Sequence, residues 1–179
     1  MKHIKLCTNT SPGILRVIFR MGAVVSALAL AQAGYAATAT GLMTVTATVA
    51  ASCVVGTSTL AFASATSAAI AAGNVDATGT IAVNCTSGSG YTVSLGAGTG
   101  TGATTASRKM TAGTQLLSYT VYTTEARTTV WGDNTTGSGS VAGIGTGASQ
   151  SITAYGRIFA GQVVSAATYA DTLNVTVTY

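Results

Sequence analysis

Apolar or small residues alternate with threonine and other polar residues through most of the chain, and a helical period of 3.6 does not recur. Residues 38–49, TATGLMTVTATV, place Ala39, Gly41, Met43, Val45, Ala47 and Val49 on one face, with threonine at almost every position between. Later strands follow from the same period of two. Ile81, Val83 and Cys85 share a face within 80–85, Tyr91, Val93 and Leu95 within 91–95, and Leu117, Tyr119 and Val121 within 116–123. Ile152, Ala154, Gly156 and Ile158 do so within 151–159, and Leu173, Val175, Val177 and Tyr179 form a last strand. The glycine-, serine- and threonine-rich segments 96–107 and 132–149 read as turns and polar connections. Residues 65–73, ATSAAIAAG, suit a helical turn and are too short to be stable as an isolated helix.

Short strands of this kind predict an all-β fold, an antiparallel sandwich of immunoglobulin type. The first strand has no evident partner. Between Val49 and Cys53 stand Ala50, Ala51 and Ser52, with none of the Gly, Asn, Asp or Pro chemistry of a tight hairpin, so the chain runs on without reversing. Twelve extended residues at about 3.3 Å each reach roughly 40 Å. Left in water, such a strand exposes an unpaired edge and an apolar face, which invites association.

The N-terminus changes the electrostatic picture. Lys2, Lys5, Arg16 and Arg20 precede or flank an apolar stretch from Met21 to Ala31 that is too short to span a bilayer, which disfavours a membrane anchor. Small residues follow, so residues 1–36 read as a secretory signal peptide cleaved after Ala36 or after Ala33. The formal charge of +4 belongs to that segment. Beyond it, Arg108, Lys109, Arg127 and Arg157 balance Asp76, Glu125, Asp133 and Asp171, and nothing points to nucleic acid or acidic lipid as a partner.

His3, Pro12 and Cys7 also lie in the presequence, which leaves Cys53 and Cys85. In an exported chain this pair reads as a disulfide contributing about 3 to 4 kcal/mol, the alternative being two buried free thiols. Catalytic chemistry finds little support. The glycine runs lack the lysine and the βαβ setting of a phosphate loop. Glu125 and Asp133 flank Arg127 and Trp131, where a hairpin ion pair or turn capping explains them better than acid catalysis. Without histidine, nucleophile–base pairs and the usual zinc sets are not available, and a serine with Lys109 is the remaining combination. No cofactor or metal is expected. Asn84, Asn134 and Asn174 stand in N-x-T sequons that matter only in a eukaryotic source, and Trp131 reads as a packing residue rather than a sugar platform.

The segments LLSYTVYTTEARTTVWGD (116–133) and AYGRIFAGQVVSAATYADTLNVTVTY (154–179) closely resemble the spore coat protein U domain family, which includes subunits of archaic chaperone-usher pili. Cys53 and Cys85, Tyr119 and Tyr122, the ARTT of 126–129, WGD of 131–133, YGR of 155–157 and the YADT before the last strand carry the resemblance. It implies an immunoglobulin-like sandwich lacking its last strand, with a hydrophobic groove beside the C-terminal strand. A periplasmic chaperone first fills that groove, and at an outer-membrane usher the N-terminal extension of the next subunit replaces it.

By position, residues 37–52 are the donor-strand extension and 53–179 the pilin domain, with Cys53 and Cys85 fastening its first strand. Ala39, Gly41, Met43, Val45, Ala47 and Val49 are the expected donor face. Leu173, Val175, Val177 and Tyr179 are the expected lining of the acceptor groove and the chaperone-binding strand. Burying Met43, Val45 and Val49 contributes roughly 5 to 9 kcal/mol at about 1.5 to 3 kcal/mol each. A head-to-tail contact of this sort does not close and generates a fibre. The expected function is thus structural and not enzymatic: a surface pilus subunit, joined to identical or sister subunits by donor-strand exchange and supporting adhesion and biofilm growth. The alternative is a secreted spore or cell coat protein of the same fold that forms no chaperone-usher fibre. A carbohydrate-binding tip module and a small secreted hydrolase are the more distant readings.

Overall fold

The computed structural model describes residues 36–63, 65–135 and 137–179. The expected signal peptide, 1–36, lies outside the described residues except for Ala36. The chain divides between Val45 and Thr46 into two units. In the first, residues 36–45 form no helix or strand. Residues 46–52 of the second form none either. The strand expected over 38–49 is therefore not formed in the single chain, because a strand needs a hydrogen-bonded neighbour and sequence pattern alone supplies none.

From Cys53 onward the fold is all-β apart from one short helix. In chain order the elements are β1 (Cys53–Leu60), α1 (Ser67–Ala72), β2 (Val75–Cys85), β3 (Gly90–Leu95), β4 (Arg108–Ala112) and β5 (Gln115–Tyr122). They continue with β6 (Val130–Trp131), β7 (Ser138–Gly139), β8 (Val141–Ile144), β9 (Ser149–Ile158) and β10 (Val175–Thr178). The larger sheet has the order β1-β2-β9-β5-β6-β7 with β4 also paired to β5, and the smaller has the order β10-β3-β8. Every pairing is antiparallel except the two-residue contact of β6 with β7.

Between the sheets lies one core, because each strand turns one face inward. Ile81, Val83 and Cys85 of β2 meet Tyr91, Val93 and Leu95 of β3, together with Leu117, Tyr119 and Val121 of β5 and Ile158 of β9. All of these were the apolar members of alternating runs. The alanine-rich turn appears as α1, where Thr66 caps the N-terminus by accepting from the Ala69 amide at 3.1 Å and Ile70 is buried. Trp131 is fully buried and donates from Nε1 to the Val93 carbonyl at 2.9 Å, the packing role expected for it.

One part of the pattern was misread. Segment 132–149 contains β7 and β8 rather than turns alone, and β8 supplies an edge of the smaller sheet. Its glycine concealed it: a Cβ on Gly143 would lie 2.4 Å from the Tyr91 ring, so the strand needs a bare backbone where it crosses that aromatic. Of the two roles expected around Glu125 and Asp133, a hairpin ion pair or turn capping, Asp133 takes the second. It closes a turn, accepting from Thr135 N at 3.1 Å, and Arg127 reaches across to Asp76 at 3.4 Å.

Asp76 also receives two bonds from Arg157, at 2.7 and 2.8 Å, and this hydrogen bonding, with the charges of Arg127 and Arg157, holds its carboxyl below the ordinary range despite some desolvation. A carboxyl with a folded pKa below its unfolded one stabilises above the unfolded value and ceases to do so as pH falls through the folded value. Asp76→Asn should therefore remove stability at neutral pH and flatten the acid limb below about pH 4. The pair is partly solvated, so the expected loss in a urea titration is about 1 kcal/mol or less.

Candidate docking groove

The smaller sheet ends at β10, which pairs with β3 and, among the described residues, with nothing on its other side. The larger sheet ends at β1, which among the described residues pairs only with β2 and carries an irregularity between Val55 and Ser58. β10 and β1 thus each present one open edge beside the groove, and the other ends of the two sheets are β8 and β7.

On β10 the orientation of that edge follows from the ladder. Gly96 N donates to Asn174 O at 2.9 Å, and the register continues Val175 opposite Leu95 and Val177 opposite Val93. Antiparallel pairs alternate, so positions 174, 176 and 178 bond to β3 while the N–H and C=O of Val175 and Val177 face outward. The side chains of these same two valines turn inward and pack on the core. Backbone groups ready for a further strand and an apolar face thus coincide on one element.

A groove of about 960 Å³ opens beside these edges. Ser58, Thr59, Leu60 and Phe62 form one wall, residues 164–173 the other, and Leu95, Leu117, Tyr119, Val121 and Ile158 lie at its floor. These floor residues are core side chains and stay buried beneath the groove. Its shape depends on a close approach: a Cβ on Gly156 would lie 2.7 Å from the Phe62 ring and 2.9 Å from a Leu60 methyl, so glycine at that point of β9 lets the wall settle.

Of the four residues expected to line the groove, Leu173 and Val175 do so. Val177 packs against the core but lies outside the groove lining, and Tyr179 is 58% exposed. Leu60, Phe62, Val164 and Tyr169 contribute to the walls without having been singled out; the apolar LAF at 60–62 was the one signal for them. On the expected donor face, Met43 is 85%, Val45 78% and Val49 87% exposed, and Ala39, Gly41 and Ala47 are exposed as well. Leu42, on the opposite face of the pattern, is also exposed.

Cys53 and Cys85 face one another across β1 and β2 and form a disulfide. The bond ties down the start of β1, the strand with the open edge. On the other side of the groove, Asp171 fixes the approach to β10. Its Oδ2 accepts from the Tyr119 hydroxyl at 2.8 Å, and its Oδ1 accepts from Thr99 N, Thr99 Oγ1 and Thr172 N at 2.8 to 2.9 Å. Burial, with the neighbouring Asp171 carboxylate, drives the Tyr119 pKa upward and keeps its hydroxyl a donor.

Arg108 lies beneath this region, fully buried at the start of β4. Its guanidinium donates to the carbonyls of Gly96 (2.9 Å), Thr105 (2.9 Å), Leu95 (3.3 Å) and Trp131 (2.6 Å). Burial lowers its pKa, yet an arginine remains charged. The side chain joins the end of β3 to β6 and so holds the strand on which β10 is laid.

The described residues contain no cluster of three or more His, Cys, Asp or Glu side chains suited to a metal, and no helix long and apolar enough to cross a membrane. The geometry suits docking of an extended segment. It offers main-chain hydrogen bonds along an edge and apolar pockets beneath.

No curated protein matches this chain. Among solved structures, a chain of the CsuC-CsuE chaperone-tip adhesion subunit pre-assembly complex from archaic chaperone-usher Csu pili of Acinetobacter baumannii is similar, with a TM-score of 0.49 and 17% identity. The match covers 74% of the present chain and 40% of that one, so the present chain spans less than half of its length. The family model of the Spore Coat Protein U domain matches residues 39–176, and on that match, which takes in both sheets, the chain belongs to the spore coat protein U domain family.

Proposed function

We propose that this chain is a structural subunit of an archaic chaperone-usher pilus, exported through the periplasm and assembled on the cell surface by donor-strand exchange, where it supports adhesion and biofilm growth. The observation that carries the reading is the open edge of β10, whose backbone at Val175 and Val177 faces outward and whose Val175 lines a groove floored by core side chains. Family membership supports it, since subunits of such pili belong to the same family.

In this reading residues 37–52 are the extension and 53–179 the body of the subunit. Ala39, Gly41, Met43, Val45, Ala47 and Val49 enter the groove of the neighbouring subunit. Leu173, Val175, Val177 and Tyr179 present the receiving edge, which a periplasmic chaperone occupies before the outer-membrane usher brings the next copy. The protein catalyses nothing. Its low charge, 7% of residues, suits a surface packed into a fibre better than a free monomer.

Each half of the contact is unstable alone. The extension exposes apolar side chains, the groove is bordered by an unpaired backbone edge, and joining them removes those side chains from water while pairing the free edge of β10. The contact runs from one end of a subunit to a different site on the next, so it repeats without closing. The mature chain, expressed with its chaperone and usher, should give heat-sensitive ladders of subunits on a denaturing gel, and deletion of residues 38–49 should abolish them. Ladders that persist after the deletion would assign the donor role elsewhere.

A further inference from the structure

The wall of the groove on the β10 side is irregular chain, and it is held only at its ends. At one end, Gln162 makes a paired contact with β5, accepting from Ser118 N at 2.7 Å and donating to Ser118 O at 2.9 Å. At the other, Ala170 and Thr111 of β4 exchange backbone bonds at 2.8 and 3.1 Å. Among the described residues, the only hydrogen bond made by the intervening segment 163–169 is internal, from the Tyr169 hydroxyl to Ser165 O at 3.1 Å. Both anchors lie on the β4–β5 hairpin, so the segment can swing without disturbing either sheet.

Its side chains divide sharply. Val163 is 94% exposed, while Val164 and Tyr169 pack against the core and line the groove. Residues 165–168 between them, Ser-Ala-Ala-Thr, are small and exposed. A segment with two apolar side chains on the core, a small polar middle and no ladder pairing has low local stability. It nevertheless spares the groove floor contact with water.

We propose that residues 163–169 form a strap that covers part of the empty groove and is displaced outward when a donor segment enters. This rests on the donor-strand reading and adds a step to it: Val164 and Tyr169 occupy core surface that the incoming side chains need, so the strap competes with the donor and slows its entry. An empty subunit is thereby partly protected from the wrong edge partners, and a full one releases the strap to solvent.

Amide hydrogen exchange of the mature chain, followed residue by residue with and without excess synthetic peptide of residues 38–49, tests both levels. The peptide should slow the amides of Val175 and Val177 and at the same time speed those of 163–169 by about threefold or more. Slowed or unchanged strap amides alongside protected β10 amides overturn the strap and leave the donor reading intact. Unprotected β10 amides remove the donor reading and the strap with it. In addition, the double variant Val164→Ala/Tyr169→Ala should bind the peptide with an association rate raised about fivefold or more. An equal or slower rate would mean that the two side chains are fixed parts of the wall, and the strap would again be overturned.

Discussion

Arg108→Ala lowers the stability of the domain by about 3 to 5 kcal/mol, enough to place it near the threshold of folding, and Arg108→Lys recovers less than half of the loss. Four carbonyl oxygens, of Gly96, Thr105, Leu95 and Trp131, take their hydrogen bonds from this one side chain. Truncation leaves all four without it; the contacts to Leu95 and Trp131 are buried and those to Gly96 and Thr105 part-buried, and each orphaned buried acceptor costs about 1 to 3 kcal/mol before relaxation. Lysine supplies three donors from a single atom, and these cannot span acceptors arranged around the whole planar guanidinium. The measurement is a urea midpoint with the disulfide intact. A loss below about 1 kcal/mol for alanine would mean that water replaces the guanidinium, and the clamp would then contribute little.

Arg108 also shows where the sequence was hard to read. Strands β2, β3, β5 and β9 were legible because each has one apolar face and one polar face, and alternation follows directly from that difference. The strand RKMTA of β4 breaks the rule, since its most buried position is a charged residue whose partners are backbone carbonyls spread over three segments. Strand β8 was hidden by the small residues that let it cross Tyr91. The groove was half legible for a related reason. Leu173 and Val175 sit in a periodic strand, whereas Leu60, Phe62, Val164 and Tyr169 reach the groove from a strand end and from irregular chain, where no period marks them. The segment 38–49 has the opposite character: its pattern is the clearest in the sequence, and it forms no strand, because nothing described in the single chain pairs with it. The contact of Asp76 with Arg127 and Arg157 joins residues far apart in sequence, and only the pairing of β2 with β9 brings two of them together.

The alternation of hydrogen bonds along β10 separates folding from docking by a single step in sequence. Val177→Pro removes an N–H that faces the open edge and leaves the ladder with β3 complete, because that ladder uses positions 174, 176 and 178. The subunit should fold with a stability change of about 1 kcal/mol or less. Donor-dependent ladders should nevertheless fall about tenfold or more, since the donor loses a main-chain bond and meets the ring where its backbone must approach. Thr176→Pro does the reverse. It removes a bond to β3, frees the edge strand and should destabilise the isolated subunit by about 2 kcal/mol before any donor arrives. The comparison is read from urea titration of each purified variant beside its ladder on a denaturing gel. Equal loss of ladders at equal stability for both would mean that the outward edge of Val177 is not where the neighbouring chain pairs. The contrasting result would tie assembly to the outward row of backbone groups on β10.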